Sequence, residues 1–115
     1  MLPKIHRLTK KKEFDAVFKK GKSLKNSFLF FKTAKSNLPN SRFGFVISKK
    51  VSGKATVRNS IKRRLSHAVS SHLKATSQPL DVVITALPEI KNKEFPEIDK
   101  AVSDFFKTLN YKMPN

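Results

Sequence analysis

Apolar residues recur along this chain with two periods, and the changes between them mark the predicted elements. Spacings of three and four predict helices, whereas short runs rich in Phe, Val and Ile between turn residues predict strands. The predicted elements are a helix over residues 10–20, strands over 22–25, 27–35 and 42–48, a helix over 55–73, a strand over 80–86 and a last helix with Pro96 in its first turn. This α-β-β-β-α-β-α order favours an α+β fold with one four-stranded sheet and helices packed against it.

The helix boundaries have local signals. Thr9 is a candidate N-cap for the first helix, and Gly21 is placed to end it. Phe14, Val17 and Phe18 form an apolar stripe on this helix, while its other sides are mostly lysine.

Phenylalanine is frequent, with ten residues and no tryptophan. Because side chains alternate along a strand, Phe28 and Phe30 share one face of their strand and Phe31 belongs to the other. Most of these rings are expected in the core. One or two exposed rings beside lysines would stack unpaired bases.

The 115 residues suffice for one domain, residues 1–115, with a core that needs no disulfide. The chain has no cysteine, which excludes thiolate metal sites and cysteine nucleophiles. It has no apolar stretch long enough to span a membrane and no apolar run near its start, so a cytoplasmic protein is expected.

Charge is distributed unevenly. Twenty of the 25 Lys and Arg residues precede Asp81, where Glu13 and Asp15 are the only acids. This excess predicts a polyanionic partner, most simply a nucleic acid. The alternatives are a basic face kept for solubility and a polybasic membrane patch, but solubility needs a net charge of only about 2–8, and membrane attachment usually adds an apolar anchor.

The helix over 55–73 carries the sharpest local signal. If Ile61 and Leu65 face the core, one flank presents Arg58, Asn59, Lys62 and Ser66, with Arg63 beside them. Such a row matches successive phosphates, although an ordinary solvated helix face also carries bases.

Catalytic signals are absent from the sequence. The three histidines are isolated, the acids form no metal-binding cluster, and there is no glycine-rich phosphate loop. The polypeptide itself is predicted to catalyse nothing.

Several of these residues together carry a resemblance. They are Arg7-Leu8, Glu13-Phe14, Val17-Phe18, Gly21, Gly44, Ser48-Lys49-Lys50, Arg58-Asn59 and Ile61-Lys62-Arg63. Spread over residues 7–69, they resemble the protein subunit of bacterial ribonuclease P. The resemblance implies a two-layer sandwich with a left-handed β-α-β crossover, shared with some ribosomal-protein and elongation-factor domains. The general rule favours right-handed connections.

The resemblance also implies function. Bacterial ribonuclease P removes the 5′ leader of precursor tRNA, and its catalytic centre is an RNA subunit with bound Mg²⁺. The chain would be the accessory subunit of this endoribonuclease, with ribonuclease P RNA and precursor tRNA as partners and neither DNA nor a membrane. The implied leader contacts are Phe14, Phe18, Phe31, Arg58, Asn59 and Lys62. The implied contacts with the RNA subunit are Lys49, Lys50, Lys54, Arg58, Arg63 and Arg64.

Two positions depart from the family pattern. Ser60 and Ser66 stand where the family usually has arginines, so neither position has a guanidinium group to bind phosphate. Arg64 is interpreted as a compensating base for one of them. The alternative function is a noncatalytic, ribosome- or RNA-associated structural protein of the same fold. A DNA-binding nucleoid protein is less favoured, since nothing resembles a groove-reading helix-turn-helix.

Overall fold

The computed structural model describes residues 2–73 and 78–112. These residues form the predicted order of helices and strands, and the α+β prediction is confirmed. The elements are α1 (Lys11–Lys20), β1 (Lys22–Asn26), β2 (Leu29–Lys35), β3 (Arg42–Val46), α2 (Ala55–Ser71), β4 (Leu80–Ala86) and α3 (Phe95–Lys112), with short 3-10 turns at Lys4–His6 and Pro88–Asn92.

The four strands form one sheet in the order β1-β2-β4-β3. The β1–β2 and β2–β4 pairs are antiparallel, whereas β3 and β4 are parallel, with Gly44 opposite Val83. Adjacent parallel strands need a long crossover, which α2 supplies. The left-handed sense of this crossover stays a prediction. Since β3 is an edge strand, one of its sides is open to other segments of the chain.

The sheet separates two apolar clusters. Val82 and Ile84 of β4 belong to the main core with α2 and α3, whereas Val83 between them packs with Val17 of α1 on the opposite face. The two layers expected are therefore the sheet and the α2–α3 pair, and α1 covers part of the other face. This placement follows from the strand period of two, which directs successive valines to opposite sides.

The start of α1 differs from the prediction. The N-cap is Lys10 rather than Thr9. The Glu13 carboxylate accepts hydrogen bonds from the backbone N–H groups of Thr9, at 3.2 Å, and Lys10, at 3.0 Å. Glu13 therefore satisfies two backbone donors at the helix start, as the glutamate of a capping box does.

Phe31 is part of the core. Its side chain has no exposed surface and lies parallel to the Phe105 ring of α3, with the ring centroids 3.9 Å apart. The prediction that Phe31 contacts a leader strand is therefore wrong, since the ring is enclosed between the sheet and α3. Phe31 does lie on the opposite face of β2 from Phe30, as the alternation predicted, but that face packs in the main core under α3.

Candidate nucleic-acid interface

A cavity of about 120 Å³ lies at the open side of β3, where four segments of the chain meet. We call it the edge pocket. The N-terminal segment, α1, β3 and α2 all contribute to its lining, which consists of Leu2, Arg7, Leu8, Thr9, Phe14, Phe43, Gly44, Phe45, Lys62 and Ser66. Among the residues described, this pocket joins the first helix to the basic flank of α2.

Backbone pairing fixes the N-terminal wall of the edge pocket. Arg7 forms an isolated parallel bridge with Phe43, and the Leu8 N–H donates to the Phe43 carbonyl at 2.9 Å. These contacts use polar groups that an edge strand would otherwise leave unpaired. The side chains of Arg7 and Thr9 are thereby placed beside α2.

Polar donors line the edge pocket, and no Asp or Glu is among its lining residues. The Arg7 Nε is buried and has no hydrogen-bond partner. A buried donor without a partner is unfavourable, so an anionic oxygen entering the pocket would gain a charge-assisted bond. The Lys62 side chain on α2 is exposed and adds a second positive charge, while Ser66 adds a hydroxyl group.

Glu13, one of the two acids of α1, forms an ion pair near the edge pocket. The Arg42 guanidinium forms an ion pair with Glu13 and a two-pronged pair with Asp81 of β4, at 3.0 and 2.8 Å. The backbone hydrogen bond from Lys10 lowers the pKa of Glu13, and Thr9 and Arg42 act in the same direction. The hydrogen bond to Asp81 raises the pKa of Arg42. Arg42 thus pairs with both carboxylates, and none of these three residues lines the edge pocket, where Arg7 and Lys62 contribute positive charge.

The structure brings two of the predicted leader contacts, Phe14 and Lys62, into the same pocket. Phe18 lies one turn further along α1 and is 41% exposed, outside the pocket lining. Arg58 lies one turn before Lys62 on α2, and its Nη1 donates to the Ser52 carbonyl at 2.9 Å. Asn59 is exposed beside it. The α2 residues thus form a row that leads to the pocket.

On β2, the face toward α1 is occupied by residues other than Phe31. Ala34 packs in the small cluster with Val17, so Phe30 and Lys32, at two-residue spacing from it, share that face. Both are only partly buried. They lie on the face of β2 toward α1, whereas Phe31, for which a leader contact was predicted, lies on the other face.

The predicted contacts with an RNA subunit fall into two groups. Lys49, Lys50 and Lys54 are exposed in the loop between β3 and α2, which the buried Val51 anchors. Arg63 and Arg64 are exposed on α2 and line a separate groove of about 440 Å³ together with Ser60, His67 and Phe95. We call this second surface the α2–α3 groove.

Sequence reasoning missed Arg7, Thr9 and Ser66 as lining residues. Arg7 belonged to the resemblance, but nothing in its spacing indicated a position next to α2. Ser66 was expected on an open flank, yet it is 2% exposed at the pocket. The two serines that replace family arginines lie at different surfaces. Ser66 lines the edge pocket, whereas Ser60 lines the α2–α3 groove with Arg64. Arg64 is therefore placed beside Ser60, and Arg7 supplies a guanidinium near Ser66.

The described residues do not fit a protein-held metal site. Across residues 2–73 and 78–112, no three His, Cys, Asp or Glu side chains are grouped so that they could hold a metal ion. Within the same ranges, no helix is long and apolar enough to cross a membrane.

A small α+β domain with a basic, aromatic-lined pocket at a sheet edge has features typical of nucleic-acid-binding proteins. The Ribonuclease P family model matches residues 2–110, and the chain belongs to that family. The ribonuclease P protein component of Bacillus cereus strain B4264 is 37% identical over 112 residues, covering 96% of each chain, and that of Bacillus anthracis strain CDC 684 is 35% identical, covering 96% of this chain and 93% of its own.

Solved structures agree with this assignment. The Staphylococcus aureus RNase P protein superposes with a TM-score of 0.81 at 27% identity, covering 90% of this chain and 94% of that one. The RNase P protein from Thermotoga maritima gives 0.80 at 26% identity, covering 89% and 96%.

Proposed function

We propose that this chain is the protein subunit of a bacterial ribonuclease P that binds the catalytic RNA subunit and the single-stranded 5′ leader of precursor tRNA. The observation that carries the proposal is the edge pocket, where the Phe14 ring, the unpartnered Arg7 Nε and the Lys62 side chain converge without a carboxylate in the lining.

The arrangement suits an unpaired strand better than a duplex. A single strand exposes flat bases, and each base stacked on an aromatic ring contributes about 1–3 kcal/mol to binding. Phe14 in the pocket and the exposed Phe18 lie four residues apart on α1, so both rings project from one side of that helix. The leader would follow this side of α1, with its phosphates near Arg7, Lys62 and the row through Arg58 and Asn59.

Six basic residues are assigned to the RNA subunit, and one of them, Arg58, is shared with the leader contact. These are Lys49, Lys50 and Lys54 in the loop before α2, and Arg58, Arg63 and Arg64 on the helix itself. In this proposal, the protein contributes binding and orientation, whereas the RNA subunit performs the cleavage. Mg²⁺ is held by the RNA subunit and the substrate, since the described residues offer no cluster of ligands for it.

Reconstitution tests the proposal directly. The protein is mixed with its cognate ribonuclease P RNA and precursor tRNA at low Mg²⁺, and formation of the mature 5′ end is followed. We expect cleavage to accelerate with the protein present and no cleavage by the protein alone. An RNA-associated structural protein would bind these RNAs without accelerating cleavage, and that result would overturn the proposal.

The Arg7→Gln variant tests whether the leader binds at the edge pocket. The variant should bind leader-bearing precursor tRNA more weakly in the holoenzyme, while its affinity for mature tRNA should stay unchanged. Lys107→Gln, at an exposed position of α3 outside the edge pocket, is the matched control and should leave both affinities unchanged.

A further inference from the structure

The α2–α3 groove combines the two features that bind an unpaired base. Arg63 and Arg64 supply positive charge, and the rings of His67 and Phe95 supply aromatic surface. These rings meet edge to face, with centroids 5.3 Å apart and an angle of 60° between their planes. His67 is exposed and Phe95 is half-buried, so both rings are fixed against each other while part of their surface faces the groove.

This groove is distinct from the edge pocket. At about 100° per helical residue, its α2 residues centre roughly 130° around the helix from Lys62 and Ser66. The buried residues Ile61, Leu65 and Ala68 occupy the side of α2 that packs on the core. The two binding surfaces therefore lie on opposite flanks of one helix. A leader strand lying along α1 and the edge pocket would have to wrap around α2 to reach the groove.

No Asp or Glu lines the α2–α3 groove. Glu94 and Glu97 adjoin Phe95 in the sequence, but neither lines the groove. Glu97 is engaged locally, since its carboxylate accepts the Glu94 backbone N–H at 2.8 Å. The lining thus contains Arg63, Arg64, His67 and the small residue Ser60, whose short side chain leaves the space beside the rings open.

We propose that the α2–α3 groove binds one unpaired nucleotide of the RNA subunit. Its base stacks on the exposed His67 ring, whose orientation the edge-to-face contact with Phe95 fixes, and its flanking phosphates pair with Arg63 and Arg64. The inference rests on the proposed function and deepens it, because it assigns His67 and Phe95 to a contact with the RNA subunit. The precursor tRNA is the less favoured occupant, since its leader is assigned to the other flank of α2.

Substitutions at His67 test this contact because the side chain is exposed and the core does not depend on it. Three variants separate stacking from charge: His67→Ala removes the ring, His67→Lys replaces the ring with a charge, and His67→Phe keeps a ring. Ser70→Ala, at an exposed α2 position that lines neither surface, is the control. Dissociation constants for ribonuclease P RNA are measured at one salt concentration. The preference of the holoenzyme for precursor over mature tRNA is measured at saturating protein.

We expect the Ala and Lys variants to bind the RNA subunit about tenfold more weakly, and the Phe and Ser70 variants to stay within about twofold of the unsubstituted protein. The preference for precursor tRNA should not change. Equal binding by the Ala variant, or full binding by the Lys variant, would overturn the stacking site while leaving the proposed function intact. A reduced preference for precursor tRNA would assign the groove to the substrate and also overturn the inference. If the unsubstituted protein fails to bind the RNA subunit, the proposed function fails first, and the inference fails with it.

Discussion

The ring of Phe14 lies over Gly44, in the space that a Cβ atom at residue 44 would occupy. Glycine in a strand interior often marks a close approach by another part of the molecule, and here the approaching group is an aromatic ring of α1. Because Gly44 has no Cβ atom, the Phe14 ring can lie against the β3 backbone and so reach the edge pocket. Leu8 borders the same space, with its own Cβ 3.1 Å from the point where that added atom would sit.

Gly44→Ala should disturb both folding and leader binding. The added methyl group overlaps the Phe14 ring, so the ring must move away from the edge pocket. We expect a loss of about 1–3 kcal/mol in the free energy of unfolding, as for other overpacked sites. Affinity for leader-bearing precursor tRNA should also fall. Gly53→Ala is the matched control, because an added Cβ there meets no atom within 4 Å. If both alanine variants have the same melting temperature, the close approach at Gly44 does not contribute to the free energy of unfolding.

Phe31→Ala and Phe18→Ala should have opposite effects. Phe31 is fully buried against Phe105, so its truncation should lower the free energy of unfolding by about 3–5 kcal/mol. Phe18 is 41% exposed, so its truncation should cost much less stability and should instead weaken binding of precursor tRNA by about 1–3 kcal/mol. Urea unfolding and titration with precursor and mature tRNA distinguish the two. A Phe18 variant that unfolds early and binds both tRNAs equally badly would assign that ring to the core.

Lys62→Ala should reduce the salt dependence of leader binding. Each neutralised phosphate of a single strand contributes a slope of about −0.7 to the plot of log affinity against log salt concentration. Loss of one contact should therefore make the slope shallower by about that amount. Lys107→Ala removes the same charge from an exposed position of α3 and should leave the slope almost unchanged. Equal slopes for the Lys62 variant and the unsubstituted protein would place Lys62 outside the path of the leader.

The stabilising effect of Glu13 should depend on pH. Its pKa is lowered in the folded protein by the Lys10 backbone hydrogen bond, with help from Thr9 and Arg42. A lowered folded pKa means that the stabilisation is complete above the unfolded value of about 4.3 and is lost as the pH falls through the folded value. Glu13→Gln should therefore lower the free energy of unfolding by about 1 kcal/mol at pH 7. The difference from the unsubstituted protein should shrink on acidification, and a difference that persists unchanged at pH 2 would contradict this role.

The pattern of the sequence determined the elements because periodicity is a local property of the chain. Residues 80–86 have the composition of a buried strand and form β4 over those residues, and the helix predicted from residue 55 is α2. The second strand begins later than predicted. Ser27 adopts a positive φ of 54°, which places it in the turn before β2. Serine gives a weaker turn signal than Gly or Asn, so the sequence did not mark this boundary.

The basic character of the interface was also present in the sequence, because charge does not depend on how the chain folds. The excess of lysine and arginine before Asp81 predicted a polyanionic partner, and the family match is consistent with that prediction. The helical period of three and four likewise placed Arg58 and Lys62 on one flank of α2.

Only the tertiary structure decided which faces meet. Alternation separates Phe30 from Phe31, but it does not state which face of β2 lies toward α1 and which is buried under α3. The strand order places β3 at an edge, and the pairing of Arg7 with Phe43 then places an N-terminal arginine beside α2, more than fifty residues away in the sequence. Contacts of this kind depend on long-range pairing and packing, which no local period encodes.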